Sequence, residues 1–219
     1  MYYEFTKKLD SLTSQQASRL ATFRQDFFKF ATSTETNVDF ATAAVRDLID
    51  NLPNNGAIHV SDITGYEIKW FPNPEKCQAF YKSLGRIQVF THSLRDSIEL
   101  SPIYWLSLSD RLLNSITKSL NNTLLDSLWS SRITTLSESL YECAWSSLVD
   151  LPWIAQYSFL SDLPGINLPP EILGGLGALE TTLRHSFAVW VAPKNVILCK
   201  KPIRVEIQDN QVAGLEFED

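Results

Sequence analysis

The chain has 219 residues, 44% of them hydrophobic and 11% aromatic, enough to bury one substantial core or two small ones, and this composition excludes a disordered chain. A formal net charge of -6 argues against the basic face with which nucleic-acid binders displace counterions, and against attraction to anionic membranes. No apolar run reaches the roughly 18 residues of a spanning helix, and the amino terminus, MYYEFTKKLD, lacks the apolar core of a signal peptide.

A cytoplasmic protein with neither a nucleic-acid nor a membrane partner is therefore expected. Cys77, Cys143 and Cys199 are odd in number and far apart in sequence, which fits reduced thiols better than a disulfide framework.

In chain order, residues 13–32 read as an amphipathic helix, capped by Thr13 or Ser14, with Leu20, Phe23, Phe27, Phe28 and Phe30 as its apolar face. Asn37 caps a second helix over 38–52 that turns Phe40, Ala44, Val45, Leu48 and Ile49 inward and stops at Pro53-Asn54-Asn55-Gly56. The two are expected to pair as an antiparallel hairpin. Residues 57–60 and 66–71 have the β-rich look of strands, and Asn73-Pro74 opens a helix that runs to Leu84 and is closed by Gly85. Ile87 and Val89 suggest a further short strand.

From about 100 to 151 the chain is a leucine-serine tract with a near-repeat of eight: ITKSLNNT from Ile116, LLDSLWSS from Leu124, RITTLSES from Arg132 and LYECAWSS from Leu140. Its helices are predicted over 103–120 and 123–149, divided at Asn121-Asn122-Thr123 and ended by Pro152. Apolar residues every four positions drift by about 40° per step in a helix of 3.6 residues per turn. The row Leu112, Ile116, Leu120, Leu124, Leu128, Leu136, Leu140 and Leu148 therefore winds around the axis, and either other helices wrap it or its outer part meets a partner. Trp129 and Trp145 would point about 160° apart on one straight helix, so an exposed one would anchor an interface. The twelve serines of the tract are read mainly as helix residues that bond back to the preceding turn.

Beyond a Pro-rich loop, a helix is expected over 171–187. Gly174, Gly175 and Gly177 in its first half cost about 1 kcal/mol each relative to alanine, which close approach of another element would compensate. The last thirty residues change to period two, giving strands at 189–191, 195–199, 203–207 and 212–217, with Asp209-Asn210 as a hairpin turn. The fold class is α+β: one domain over 1–219, mainly helical, with a small carboxy-terminal antiparallel β-sheet. Its parts are a helical pair with a strand-helix unit (1–100), the repeat and Gly-containing helices (101–188) and the hairpin region (189–219).

Trp190-x-x-Pro193, then Cys199-x-Lys201-Pro202 and a terminal hairpin, resembles the ending of an uncharacterised bacterial family of domains of unknown function. That family also has an amino-terminal helical pair, a strand leading into a helix, and a middle rich in Leu and Ser. Lys201 stands where the family has arginine, and the spacing from Pro193 to Pro202 differs. The resemblance implies no reaction and hence no catalytic residues.

The chemistry-bearing residues form no motif: His59, His92 and His185 lack metal-ligand spacing, and G-x-S-x-G, CxxC and HxxxH are absent from the sequence. Glu138 and Glu142, one turn apart, read as a solvated face, and Glu180 and Arg184 as an ion pair. The reading is a non-catalytic interaction or assembly module without cofactor or metal, engaging a protein partner or a second copy through Trp129, Trp145, Leu128, Leu136 and Leu140. Alternatives are an enzyme, such as a hydrolase, with a site near His59, Cys77 and His92, and a small-ligand sensor with a pocket lined from the repeat tract.

Overall fold

The computed structural model describes residues 8–50, 65–85, 108–129, 136–140 and 143–219. Predicted strands at 57–60 and near Ile87 and Val89, together with His59, His92 and Glu142, lie outside them, and so does the side chain of Glu138.

Local sequence signals set the first elements. Helix α1 spans Ser14–Thr32, where Thr13 and Gln16 close a reciprocal capping box. Helix α2 spans Val38–Asp50, and the Asn37 carboxamide accepts the Phe40 N–H at 3.1 Å. Strand β1 is Glu67–Phe71, and helix α3 is Pro74–Ser83 with Asn73 as its N-cap. Gly85, at φ +93°, takes the left-handed conformation that ends α3.

Helix α2 packs along the last helix instead of pairing with α1. Ala41, Val45, Leu48 and Ile49 form the buried stripe, while Phe40 is 61% exposed and stacks on His185. One position of helical phase separates Phe40 from Ala41, and the partner helix decides which of them is covered.

The repeat tract departs furthest from expectation. Ser109 caps α4, Asp110–Thr117; a π-helical turn follows at Lys118–Asn122 and runs directly into α5, Thr123–Leu128. Asn121-Asn122-Thr123 thus lies at a π turn rather than a break, with the Thr123 N–H bonded to the Lys118 carbonyl five residues back. A turn closed by i→i+5 bonds advances less per residue than an α-helix, so it offsets the drift of a period-four row. Leu112, Ile116, Leu120, Leu124 and Leu128 are all buried, against α1 and the helix that begins at Asp150.

The tract does not continue as a helix to 149. A short α6, Ser137–Leu140, is followed by strand β2, Trp145–Ser146. Pro152 sits in the first turn of α7, Asp150–Ser161, where its missing N–H costs nothing, so it belongs to a helix start and not a helix end. Asp150 organises this start: its carboxylate accepts the Ser146 N–H at 2.6 Å and the Trp153 indole N–H at 2.8 Å.

Helix α8 is Pro170–His185. A Cβ built at Gly174 or Gly177 meets nothing within 4 Å, so close approach does not account for these two glycines; Gly175 alone of the three faces inward.

Strands β3, Ala188–Ala192, and β4, Asn195–Cys199, pair antiparallel as expected. The sheet they form is larger than their own hairpin, with order β1-β4-β3-β2: β1 joins β4 in parallel and β2 joins β3 antiparallel. Helix α3 packs on β1, β3 and β4, and the Trp70 indole reaches Thr42 of α2 at 3.1 Å. Every residue of β3 is buried, as in a strand covered on both faces. Strands β5, Arg204–Gln208, and β6, Gln211–Glu216, form a separate antiparallel ribbon. Asp209 and Asn210, both at positive φ, make its two-residue turn.

These placements predict opposite outcomes in urea unfolding. Leu120→Ala, in the buried row, is expected to cost about 2–5 kcal/mol, whereas Gly177→Ala, on an open helical face, is expected to stabilise by up to about 1 kcal/mol.

Candidate functional site

The five residues expected at an interface are part of the core. Leu128, Leu136, Leu140 and Trp145 are buried, and Trp129, at the end of α5, packs partly buried against the same cluster. Because Trp145 lies on a strand, the two tryptophans do not share the helix on which their divergence was reckoned. A partner could reach the four buried side chains only by opening the core.

The three cysteines converge although the sequence separates them widely. Cys199 on β4 is a free thiol that donates to the Lys200 carbonyl at 3.3 Å, and the free thiol of Cys77 of α3, fully buried against the sheet, is in contact with it. Burial first, then this contact, raises the Cys199 pKa; burial also raises that of Cys143, with the Asp150 carboxylate adding to it. Buried thiols held protonated are inert as nucleophiles. Among the described residues no group of three or more His, Cys, Asp or Glu side chains is placed to hold a metal ion.

Lys201 is a buried cation that sequence reasoning missed. It is 2% exposed; its ammonium donates to the Phe30 carbonyl at 3.0 Å and its N–H to Thr36 Oγ1 at 2.8 Å. The bond falls at the carboxyl end of α1, where unpaired carbonyls and the helix dipole favour a donor. Burial lowers its pKa to about 7. Lys201 thus pins the α1–α2 corner to the β4–β5 corner, and this is the structural content of the Cys199-x-Lys201-Pro202 motif. Close by, the Arg184 guanidinium stacks on Phe30, 3.7 Å from the ring centroid, and pairs with Glu180 at 2.6 Å.

An accessible site among the described residues lies on another face of α1. A cleft of about 540 Å³ opens between α1, α5 and the tip of the β5–β6 ribbon. Arg24, Gln25, Phe28 and Lys29 line one wall, since positions i, i+1, i+4 and i+5 share a helical face. Thr123, Leu124 and Ser127 line the other, and Asn210 closes one end from the hairpin turn. Gln211 holds the turn in place by donating to the Asp126 carbonyl at 3.3 Å.

Arg24 has no ion-pair partner among the described residues, and Lys29 has only Asp26 at 4.0 Å. The hydroxyl protons of Thr123 and Ser127 are committed to the carbonyls of Lys118 and Thr123, each at 2.8 Å, which leaves their oxygens as acceptors. The cleft therefore presents cationic donors, amide groups and hydroxyl acceptors around an apolar floor of Phe28 and Leu124. Its chemistry is that of holding an anionic group. The sequence signal for it was weak: two cations five residues apart on a helix, and a hydroxyl pair four apart in the repeat.

Comparison with protein-family models, curated proteins and solved structures returns no match. Among the described residues no helix is long and apolar enough to cross a membrane.

Lys201 gives the folded state a specific pH dependence. Its folded pKa, about 7, lies below the ordinary lysine value, so above pH 7 the unfolded chain holds a proton that the folded one has lost, and stability rises with pH. The buried thiols act in the opposite sense as unfolded cysteine ionises, around pH 8.5. Between pH 7 and about 7.8, unfolding free energy should rise by up to about 1.4 kcal/mol per pH unit, and Lys201→Met should remove that slope. Equal slopes in the two proteins would contradict the assignment.

Proposed function

We propose that the protein is a non-catalytic, cytoplasmic binding module, related to the bacterial family its ending resembles, and that it seats a protein partner in the cleft between α1, α5 and the hairpin tip. The observation that carries this reading is Arg24: a guanidinium with no ion-pair partner among the described residues, on the wall of an accessible cleft, in a chain whose net charge is -6. An acidic segment of a partner supplies a carboxylate to Arg24 and a closer one than Asp26 to Lys29, and its backbone N–H groups match the acceptor oxygens of Thr123 and Ser127. The π turn next to Thr123 supports the reading, since such turns often occur at functional sites.

A small-ligand sensor is the second reading. Thr123, Leu124 and Ser127 come from the repeat tract and line a cleft of a size that suits a small molecule. The enzyme alternative has less support, since Cys77 is sealed in the core.

The test is affinity capture from the source cells with the wild-type protein and with Arg24→Glu/Lys29→Glu. A partner bound in stoichiometric amount should be lost from the double variant, while its stability stays within about 0.5 kcal/mol of wild type, as for exposed substitutions. The same captured set from both proteins would refute the cleft as the seat. A small molecule released from the wild type alone would favour the sensor reading.

A further inference from the structure

The β5–β6 ribbon has an inner and an outer strand. Strand β6 is held to the body by buried Val212, by contact with α5 and by the edge-on packing of Phe217, just past its end, against Phe187 at 4.9 Å. Strand β5 lies outboard, and no strand among the described residues pairs with its far edge. The ribbon's irregularity falls on β6: Glu206 faces Gly214 and Ile207 faces Val212, so Ala213 is the extra residue and β5 stays regular. Ile203, 57% exposed, precedes the outer strand and Ile207, 51% exposed, lies within it; with Phe40, which stacks on His185, they are the most exposed large apolar side chains among the described residues.

A free, regular edge offers backbone donors and acceptors to another strand, and proteins commonly block such edges with charges that repel a copy of themselves. The charges here do the reverse. The run Ile203-Arg204-Val205-Glu206-Ile207 is self-complementary about Val205. In an antiparallel pair centred there, Ile203 faces Ile207 of a second copy, Arg204 faces Glu206, and Val205 faces itself. Arg204 and Glu206 already bridge within the strand at 3.2 Å, so the two-fold pairing sets four charges of alternating sign side by side.

We propose that β5 is a homodimerisation edge, which joins two ribbons into a four-stranded antiparallel sheet across a two-fold axis at Val205. The partner is a second copy of this chain, bound in the isologous manner of two-fold dimers. The cleft is not required for this, and neither proposal depends on the other.

Sedimentation of the full chain from about 1 to about 300 µM, the range of a small edge contact, should give a reversible monomer–dimer equilibrium. Glu206→Arg is the primary variant because its neighbour on β6 is Gly214, so the ribbon itself loses little. It places like charges opposite each other twice and should weaken dimerisation by about tenfold or more. Arg204→Glu should do the same. Mixed, the two variants present fully opposite charges and should form a heterodimer at least as tight as the wild-type dimer. A wild-type protein that is monomeric throughout, a dimer that neither reversal weakens, or a mixture that fails to associate would each overturn the proposal.

Discussion

A leucine row repeating every four residues must be buried by a helix that turns every 3.6, and the mismatch of about 40° per step is the constraint on which the rest of this molecule depends. A straight α-helix would carry the row from Leu112 to Leu128 around nearly half its circumference. The π turn at Lys118–Asn122 slows that rotation where it accumulates, and α1 and α7 cover what remains. The turn keeps five large apolar side chains buried along one row. Beyond Leu128 the solution changes, and the same repeat supplies a sheet strand at Trp145–Ser146 and then yields to a new helix at Asp150.

With the row directed inward, the two proposed contacts fall on α1 and the terminal ribbon. Helix α1 has two working faces: its carboxyl end receives Lys201, while Arg24 and Lys29 line the cleft. The ribbon contributes Asn210 to that cleft at its tip, and along the edge of β5 no strand among the described residues is paired. A single hairpin thus serves both proposed contacts with different parts of its backbone.

Much of the fold was legible because it is encoded locally. The Thr13 cap, one of the two residues offered for that place, Asn73-Pro74, Gly85 and the Asp209-Asn210 turn each act over a few residues, and each stands where the sequence placed it. What sequence could not supply was pairing at long range. The parallel partnership of β1 with β4 joins residues more than 120 positions apart, and the packing of α2 on α8 decides that Ala41 rather than Phe40 is covered. The leucine row was seen correctly, but whether it meets its own chain or a partner depends on neighbours that periodicity does not name. Lys201 was unreadable for a related reason: a lysine beside a proline gives no local sign that a helix end 171 residues earlier will receive its ammonium.

Native-state hydrogen exchange over Ile116 to Leu128 in the Glu206→Arg variant, whose β5 edge is set against pairing, followed as protein concentration is raised, tests most directly whether the repeat row is core. If the row is covered by its own chain, these amides exchange only at the rate of global unfolding, and that rate does not respond to concentration. Protection that is weak in dilute protein and deepens as concentration rises would mean that a second molecule covers the row, and would contradict the account.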